Sequence, residues 1–210
     1  MAEANGSRGE IFIVDDDPAV RQVLVAVFER AGYRLTCFAE GNALLAAARG
    51  RTPVCIILDV HIPGRSGLEI LRDLNAQEYP SPIFIISGQG DIPMAVEAIK
   101  GGALDFIEKP FDGNTVVTRV GEAIAAWNRR QQEGAAGVLS NQFPGHDLLT
   151  PREREVLAQI AGGASNKEAG RQLGISPRTI EVHRARIMEK LGAKNAADLV
   201  RIVMSEGRGA

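Results

Sequence analysis

The sequence predicts a doubly wound α/β domain with a five-stranded parallel sheet, (βα)5, followed by a small all-α domain of four helices. Over the first 130 residues, five short apolar segments alternate with amphipathic segments, as expected for repeated βα units with helices on both faces of a sheet. From Thr150 onward strand signals vanish and helix-start signals recur. The stretch between the two regions is rich in Gly, Gln and small residues, which is typical of a linker.

Each element has its own signal in the sequence. The strands are predicted at the apolar segments 11–14, 35–38, 54–58, 83–86 and 104–107. Segments 54–58 and 83–86 are apolar throughout, which suits strands buried on both faces. Helices are predicted between the strands, because apolar residues recur there three or four positions apart. In the C-terminal region helices are predicted to start at Thr150, Ser165 and Ser176, each followed by Pro or by a capping-box Glu, and a fourth helix is predicted over residues 195–205.

The charge distribution supports a division into two domains. Residues 1–130 contain 17 acidic and 13 basic residues, net −4, whereas residues 147–210 contain 8 acidic and 11 basic residues, net +3. A basic module joined to an acidic one is typical of a nucleic-acid-binding domain attached to a regulator. We predict domains at residues 1–127 and 147–210, with a linker at 128–146 whose start continues the preceding helix.

Composition excludes several classes of protein. Hydrophobic residues make up 45% of the 210 residues, which is enough for a buried core and argues against global disorder. No apolar run approaches the ~20 residues that a membrane span needs. Residues 1–10 lack the basic-then-apolar layout of a secretory signal, so a cytoplasmic protein is predicted. Cys37 and Cys55 lie in strand-like segments, and both are expected to be buried as small apolar side chains.

Polar residues follow four of the predicted strands. They are Asp15 and Asp16 after the first strand, Asp59 after the third, Ser87 after the fourth and Lys109 after the fifth. Parallel topology brings the carboxyl ends of these strands to one edge of the sheet, where ligands bind in such folds. The sequence therefore predicts a polar site at that edge.

The residue types at this edge predict the chemistry of the site. Crowded carboxylates need a cation, and Mg²⁺ (or Mn²⁺) prefers oxygen ligands. Asp15, Asp16, Asp59 and the backbone carbonyl of His61 are the candidate ligands. A carboxylate beside such an ion can attack phosphorus, and Asp59 is the candidate nucleophile. Lys109 supplies a positive charge and Ser87 a hydroxyl donor for phosphate oxygens.

A simpler interpretation assigns Asp15–Asp17 to the cap of a helix. Asp17 precedes Pro18 and is expected to serve mainly as that cap. Capping explains these residues singly, but it does not explain complementary groups at the ends of four strands.

The motifs IFIVDDDPAVR, IILDVHIPG, ISGQGD and DFIEKPF resemble those of two-component receiver domains over about residues 8–127. The resemblance implies a flavodoxin-like fold, with Asp59 as the phosphoacceptor, Asp15 and Asp16 as metal-binding acids, and Lys109 as the phosphate-contacting lysine. It also implies a cis peptide bond between Lys109 and Pro110.

The same resemblance implies a conformational switch. Ser87 and Phe106 match the switch hydroxyl and the switch aromatic residue of the family. In this hypothesis Ser87 moves toward a phosphoryl group on Asp59, Phe106 fills the vacated space, and the helix starting near Asp91 and the fifth strand form a dimer surface. The alternative is that Phe106 is simply a core residue.

The C-terminal region carries a helix-turn-helix pattern. The turn at residues 174–176 separates helices predicted over Asn166–Leu173 and Pro177–Leu191. On the second helix, early positions are expected to meet base edges in the major groove. The candidate base contacts are Arg178, Glu181, Val182 and Ala185, and the candidate phosphate contacts are Lys167, Thr179, Arg184 and Lys190. Arg186, on the same side of the helix, is a further candidate DNA-binding residue. His183 is expected to pack partly and to contact the backbone.

The stretch LTPREREVLAQIAGGASNKEAGRQLGISPRTIEVHRARIMEKLGA is similar to LuxR-type helix-turn-helix domains. Together the two resemblances imply a response regulator of the FixJ/NarL type, closer to FixJ. They imply phosphorylation by a sensor histidine kinase, homodimerisation on phosphorylation, binding to double-stranded promoter DNA, and activation of transcription with RNA polymerase as a further partner.

Two other classes of function remain open from the residues. The acidic site is also compatible with a Mg²⁺-dependent phosphohydrolase, although the second domain carries a DNA-binding pattern rather than a lid for substrate. The C-terminal helices are also compatible with a dimerisation or adaptor module that has a charged, solvated face. The sequence does not identify the kinase, its signal or the operator sequence.

Overall fold

A computed structural model describes residues 7–88, 92–133, 143 and 145–204 of the chain. The chain divides into two compact units, residues 1–125 and residues 126–210. Within the described ranges, none of the helices combines the length and the apolar character that a membrane span requires. The predicted loop residues 89–91 and the predicted helix end at Ser205 lie outside the described residues.

The first unit is built on a sheet of five parallel strands. The strands are β1 (Glu10–Val14), β2 (Arg34–Phe38), β3 (Cys55–Asp59), β4 (Ile83–Ser87) and β5 (Asp105–Glu108). Their order across the sheet is β2-β1-β3-β4-β5, and each adjacent pair is parallel. This arrangement confirms the predicted fold, and each strand lies within one residue of its predicted position.

Helices connect the strands of this unit. They are α1 (Pro18–Arg30), α2 (Gly41–Ala48), α3 (Gly67–Asp73), α4 (Ile92–Lys100) and α5 (Gly113–Glu133). Every residue of β3 and β4 is buried, which is the consequence of a sheet covered on both faces. Each large apolar side chain buried there stabilises the fold by about 1.5–3 kcal/mol relative to exposure.

One prediction about the core is half wrong. Cys55 is buried in the centre of the sheet, whereas Cys37 on β2 is exposed. The physical reason is the strand order, because β2 lies at the edge of the sheet and an edge strand is covered less completely than a central one.

The second unit contains helices in its described residues. A 3₁₀ turn (His146–Leu148) precedes α6 (Pro151–Ala161), α7 (Asn166–Leu173), α8 (Pro177–Leu191) and α9 (Ala196–Met204). Thr150 and Ser165 form capping boxes with Glu153 and Glu168, and Ser176 caps α8. Such caps each contribute about 1 kcal/mol, so the ends of these helices are determined locally and match the prediction.

Helix α5 runs past the predicted domain border at residue 127 and continues to Glu133. The predicted linker 128–146 therefore begins as helix. Residues 134–142 and 144 of the predicted linker lie outside the described residues.

Candidate functional site

Four neighbouring strands of the sheet, β1, β3, β4 and β5, end in or are followed by polar residues at its carboxyl edge. Asp59 and Ser87 are the last residues of β3 and β4. Asp15 directly follows β1, and Lys109 directly follows β5. The backbone amide of Lys109 donates to the carbonyl of Ser87 at 2.7 Å, so the ends of β4 and β5 are joined at the site.

Three carboxylates converge at this edge. One oxygen from each of Asp15, Asp16 and Asp59 lies within 4.8 Å of the others. Asp15 is fully buried and Asp59 is 4% exposed, whereas Asp16 is exposed. The Oδ2 atom of Asp15 is buried and lies 2.9 Å from Nζ of Lys109. Buried carboxylate oxygens gathered this closely suit a cation, and the three acids could hold a hard divalent metal ion.

The ammonium group of Lys109 partly neutralises these acids. Its Nζ lies 2.7 Å from Oδ2 of Asp59 and 2.9 Å from Oδ2 of Asp15. Burial alone would lower the pKa of Lys109, but its hydrogen bonds to the two carboxylates outweigh burial and raise that pKa. Lys109 therefore stays charged. The peptide bond between Lys109 and Pro110 is cis, as the family resemblance implies.

Burial has the opposite effect on Asp15. Desolvation raises the pKa of Asp15, although Lys109 and the backbone amide of Asp17 both favour its charged form. That amide donates to Oδ1 of Asp15 at 3.0 Å. The side chain of Asp17 caps α1 by accepting from the amide of Ala19 at 2.8 Å, as predicted, so Asp17 is occupied outside the triad.

The amide of His61 donates to Oδ1 of Asp59 at 3.3 Å. This bond orients the carboxylate so that its other oxygen faces Lys109. The bond involves the amide of His61, and the metal-binding role predicted for its carbonyl stays a prediction.

Ser87 and Phe106 lie on adjacent strands close to this edge. Ser87 is 2% exposed and Phe106 is 9% exposed. The guanidinium group of Arg119 on α5 donates to the carbonyl of Phe106 at 3.0 Å and also pairs with the buried Asp105. The two predicted switch residues are thus buried on neighbouring strands, and β5 is anchored to α5 at Phe106 and Asp105.

Arg21 is a site residue that the sequence analysis missed. Its Nη1 donates to the carbonyl oxygen of Asp15 at 2.5 Å and to that of Asp16 at 2.9 Å. The signal lay in the motif DDDPAVR, because side chains in the first turns of a helix lean back toward its N-terminus. A long side chain with hydrogen-bond donors at this position therefore reaches the loop that contains Asp15 and Asp16.

In the second unit, α7 and α8 form a tight helix-turn-helix. Gly174 ends α7 in the left-handed conformation, with φ of 68°, which favours glycine. A Cβ atom on Gly170 would lie 2.7 Å from the carbonyl oxygen of Ile175. The close approach of α7 to the turn thus requires glycine at position 170 as well.

Most of the predicted DNA contacts lie on an accessible surface of α7 and α8. Lys167, Arg178, Glu181 and Ala185 are exposed, and Val182 and Arg184 are half-buried. Thr179 corrects one prediction, because it is fully buried and its hydroxyl lies 2.8 Å from that of Ser176. Its position in the first turn, where its amide donates to the capping Ser176, turns the side chain inward and away from any phosphate.

Arg186 and Lys190 form ion pairs with a buried acid of α6. Nζ of Lys190 lies 2.7 Å from Oε2 of Glu153, and Nε of Arg186 lies 3.5 Å from its Oε1. Glu153 is fully buried in α6. Its burial would raise its pKa, but Lys190, the amide of Thr150 and Arg186 outweigh burial and lower that pKa. Both cations therefore pair with an acid inside the unit, and their predicted contacts with DNA stay predictions.

Asn166 at the start of α7 was also missed. Its side-chain nitrogen donates to Oε1 of Glu181 at 3.3 Å, and its side-chain oxygen accepts from Nη1 of Arg184 at 2.8 Å. The cap of this helix is the neighbouring Ser165, and the sequence pattern gives no signal for a contact between Asn166 and α8.

His183 packs more completely than predicted. It is 3% exposed, and neither ring nitrogen has a hydrogen-bond partner among the described residues. The predicted backbone contact stays a prediction. Burial, reinforced by the cation Arg152, lowers the pKa of His183 to about 3. The ring is therefore a neutral core residue at physiological pH.

Comparisons with known proteins agree with both halves of this description. The response regulator receiver domain family matches residues 11–121, and the luxR family of bacterial regulatory proteins matches residues 147–203. Receiver domains generally bind Mg²⁺ at an acidic pocket such as the one formed by Asp15, Asp16 and Asp59.

Individual relatives match over nearly the whole chain. The transcriptional regulatory protein FixJ of Bradyrhizobium diazoefficiens is 41% identical over 207 residues, which cover 96% of this chain and 97% of that protein. The response regulator protein TmoT of Ectopseudomonas mendocina is 38% identical and covers 94% of this chain and 89% of its own length. The crystal structure of full-length FixJ from B. japonicum matches with a TM-score of 0.58 and 38% identity, over 98% of this chain and 100% of that one. The chain therefore belongs to the response regulators, as a FixJ-like transcription factor that carries a receiver domain and a LuxR-type DNA-binding domain.

Proposed function

We propose that a sensor histidine kinase phosphorylates this response regulator on Asp59, and that the phosphorylated chain dimerises and binds promoter DNA as an activator. One observation carries the proposal. Lys109 lies 2.7 Å from Asp59 and 2.9 Å from Asp15, and an oxygen of Asp16 lies within 4.8 Å of both acids. A nucleophile, a fixed cation and two further acids are thus gathered in one place.

The residues fit a bound Mg²⁺. Asp15, Asp16, Asp59 and the carbonyl of His61 would hold it. The assignment is supported by one oxygen from each of the three acids lying within 4.8 Å of the others, with Asp15 and Asp59 buried. When bound, the ion would neutralise the carboxylates and the phosphoryl oxygens.

The side chains of the site account for the transfer step. A carboxylate oxygen of Asp59 attacks the phosphorus, and the bond from phosphorus to the histidine nitrogen of the kinase breaks. Lys109 moves its ion pair from the carboxylate to the phosphoryl oxygens, where the charge is greatest. The hydroxyl of Ser87 is a further donor, and its displacement from a buried position would leave room that Phe106 fills.

The DNA-binding half of the proposal uses the accessible face of α7 and α8. Glu181, Val182 and Ala185 face base edges, together with Arg178, while Lys167 and Arg184 face phosphates. Dimerisation places two such helices on two half-sites, and contact with RNA polymerase would follow at the promoter.

The phosphorylation step is tested with full-length protein, phosphoramidate and Mg²⁺, followed by intact mass measurement. The wild type should gain one phosphoryl group, and Asp59→Asn should gain none. Asp17→Asn is the matched control, because Asn preserves the cap of α1 and position 17 lies outside the acidic triad; it should be phosphorylated like the wild type. Phosphorylation of Asp59→Asn at the wild-type rate would refute the assignment.

A further inference from the structure

Asn166 connects the two helices of the helix-turn-helix through a single amide group. It lies at the start of α7 and contacts two side chains of α8, Glu181 at 3.3 Å and Arg184 at 2.8 Å. Both of these side chains belong to the face that the proposed function assigns to DNA. The inference below rests on that assignment.

The chemistry of the two partners fixes the orientation of the amide. A guanidinium group only donates hydrogen bonds, and an ionised carboxylate only accepts them. The amide oxygen must therefore face Arg184 and the amide nitrogen must face Glu181. Among side chains of this length, only asparagine supplies an acceptor and a donor at once, so the bridge is specific to this residue type.

The bridge changes what the two α8 residues are able to do. Glu181 and Arg184 are three residues apart on one helix, a spacing at which a carboxylate and a cation pair directly. In such a direct pair, the position of the Glu181 carboxylate would be set by Arg184. Asn166 provides each of them with a separate partner and holds both side chains in defined positions, which lowers the entropic cost of ordering them on DNA.

We infer that Asn166 is a specificity-determining positioning residue. It holds the carboxylate of Glu181 in place to accept a hydrogen bond from an exocyclic amino group in the major groove, cytosine N4 or adenine N6. It acts through Glu181 and Arg184 and needs no contact with a base itself. The preferred DNA at this position therefore depends on a residue outside the recognition helix.

A purely structural role for Asn166 predicts something different. The two helices are already held by buried apolar residues, among them Ala169, Leu173, Ile175 and Ile180. If Asn166 only braced α7 against α8, its removal would weaken binding to all sequences equally and leave base preferences unchanged. The two roles are therefore separated by measuring preference and not affinity alone.

The experiment uses full-length protein treated with phosphoramidate and Mg²⁺, and a pool of duplex DNA with a randomised central region. Base preferences are derived by sequencing bound and unbound DNA for the wild type, Asn166→Ala, Asn166→Asp and Glu181→Ala. Lys167→Ala is the matched control on α7, because loss of a phosphate contact should reduce binding across all sequences alike.

We expect Glu181→Ala to reduce an approximately fivefold preference at one base pair of each half-site to less than about twofold. Asn166→Ala should reduce the base preference at the same position. Asn166→Asp should reduce it as well. Its carboxylate keeps an acceptor for Arg184, but it cannot donate to Glu181 and repels it. In an Asn166→Ala, Glu181→Ala double variant, preferences should equal those of Glu181→Ala alone.

Wild-type preferences in both Asn166 variants, with only weaker overall binding, would overturn the inference. A change confined to positions that Glu181→Ala leaves unaltered would also overturn it. If circular dichroism shows that Asn166→Ala does not fold, the nearly isosteric Asn166→Asp variant provides the test. A pool with no enrichment by the wild type would contradict the proposed function, and the role of Asn166 with it.

Discussion

Single side chains at the acidic edge show a balance between repulsion and pairing. Asp15 is fully buried and shares Lys109 with Asp59, so one cation serves two carboxylates. These positions could be predicted because polar residues after apolar parallel strands must meet at one edge. The role of Arg21 could not be predicted in the same way, because it depends on the direction of one side chain and on the position of two backbone carbonyls.

The balance at Asp15 gives a prediction about stability. In divalent-free buffer, Asp15→Asn should raise the free energy of unfolding by about 1 kcal/mol, because it removes a buried charge while Lys109 keeps Asp59 as a partner. Urea titrations in EDTA and in Mg²⁺ measure this effect. With Mg²⁺ the wild type should be stabilised and the variant much less so. A variant less stable than the wild type in EDTA would contradict the proposed repulsion.

His183 gives a prediction about pH. An unfolded histidine titrates near its ordinary pKa of about 6.5, whereas His183 in the folded chain stays neutral down to a pKa of about 3. Below about pH 6.5 the histidine is therefore protonated in the unfolded state but stays neutral in the folded state. The free energy of unfolding falls as the pH falls. The loss between pH 7.5 and pH 5 should be about 2 kcal/mol, and above pH 6.5 the contribution of His183 is fully present.

Urea titrations of the full chain, followed by the amide NMR signals of α8, measure this loss. His183→Leu should remove most of the pH dependence, because it replaces the buried ring with an apolar side chain. His146→Gln, in the same unit but on a half-buried histidine, is the control and should retain it. Equal pH dependence in the wild type and His183→Leu would show that another group is responsible.

At the scale of elements, helix ends were predicted well and helix faces less well. Caps at Thr150, Ser165 and Ser176 are local signals, and the helices begin where those signals lie. The face of α8 that carries Arg186 and Lys190 was assigned to DNA, yet a buried acid on α6 holds both. Periodicity identifies the apolar core of a helix, but it does not show which polar side chains find partners on another helix.

Glu153 joins α6 to α8 and gives the prediction at this scale. It completes the capping box of α6 and pairs with Lys190 at 2.7 Å. Glu153→Gln should destabilise the second unit by about 2 kcal/mol, because the two cations then lose their charged partner. Glu189→Gln, on an exposed acid of α8, should change stability by less than about 0.5 kcal/mol.

The same urea titrations, followed by α6 and α8 signals, compare these two variants. Because the pKa of Glu153 is lowered in the folded chain, its contribution is present above the ordinary pKa of about 4.5 and is lost as the pH falls through the lower folded value. Equal losses in Glu153→Gln and Glu189→Gln at pH 7 would contradict the role assigned to this ion pair.

At the scale of the whole molecule, the chain is two compact units with separate chemistry. The acidic site belongs entirely to the first unit and the helix-turn-helix to the second. Fold class, family and architecture were predictable because each unit has its own periodicity and motifs. The coupling between the units was not, since it depends on Ser87, Phe106 and a linker whose composition indicates little beyond its polarity.

The central claim is that the phosphoryl group on Asp59 controls binding to DNA. The most direct measurement is the affinity of full-length protein for a DNA duplex selected from the randomised pool by the wild type. It is made with and without phosphoramidate and Mg²⁺, for the wild type and for Asp59→Asn. Phosphorylation should tighten binding at least about tenfold, as expected for a coupling free energy of about 1.4 kcal/mol or more, and Asp59→Asn should show no response. Equal affinity of the phosphorylated and unphosphorylated wild type, or an equal response in Asp59→Asn, would contradict the claim.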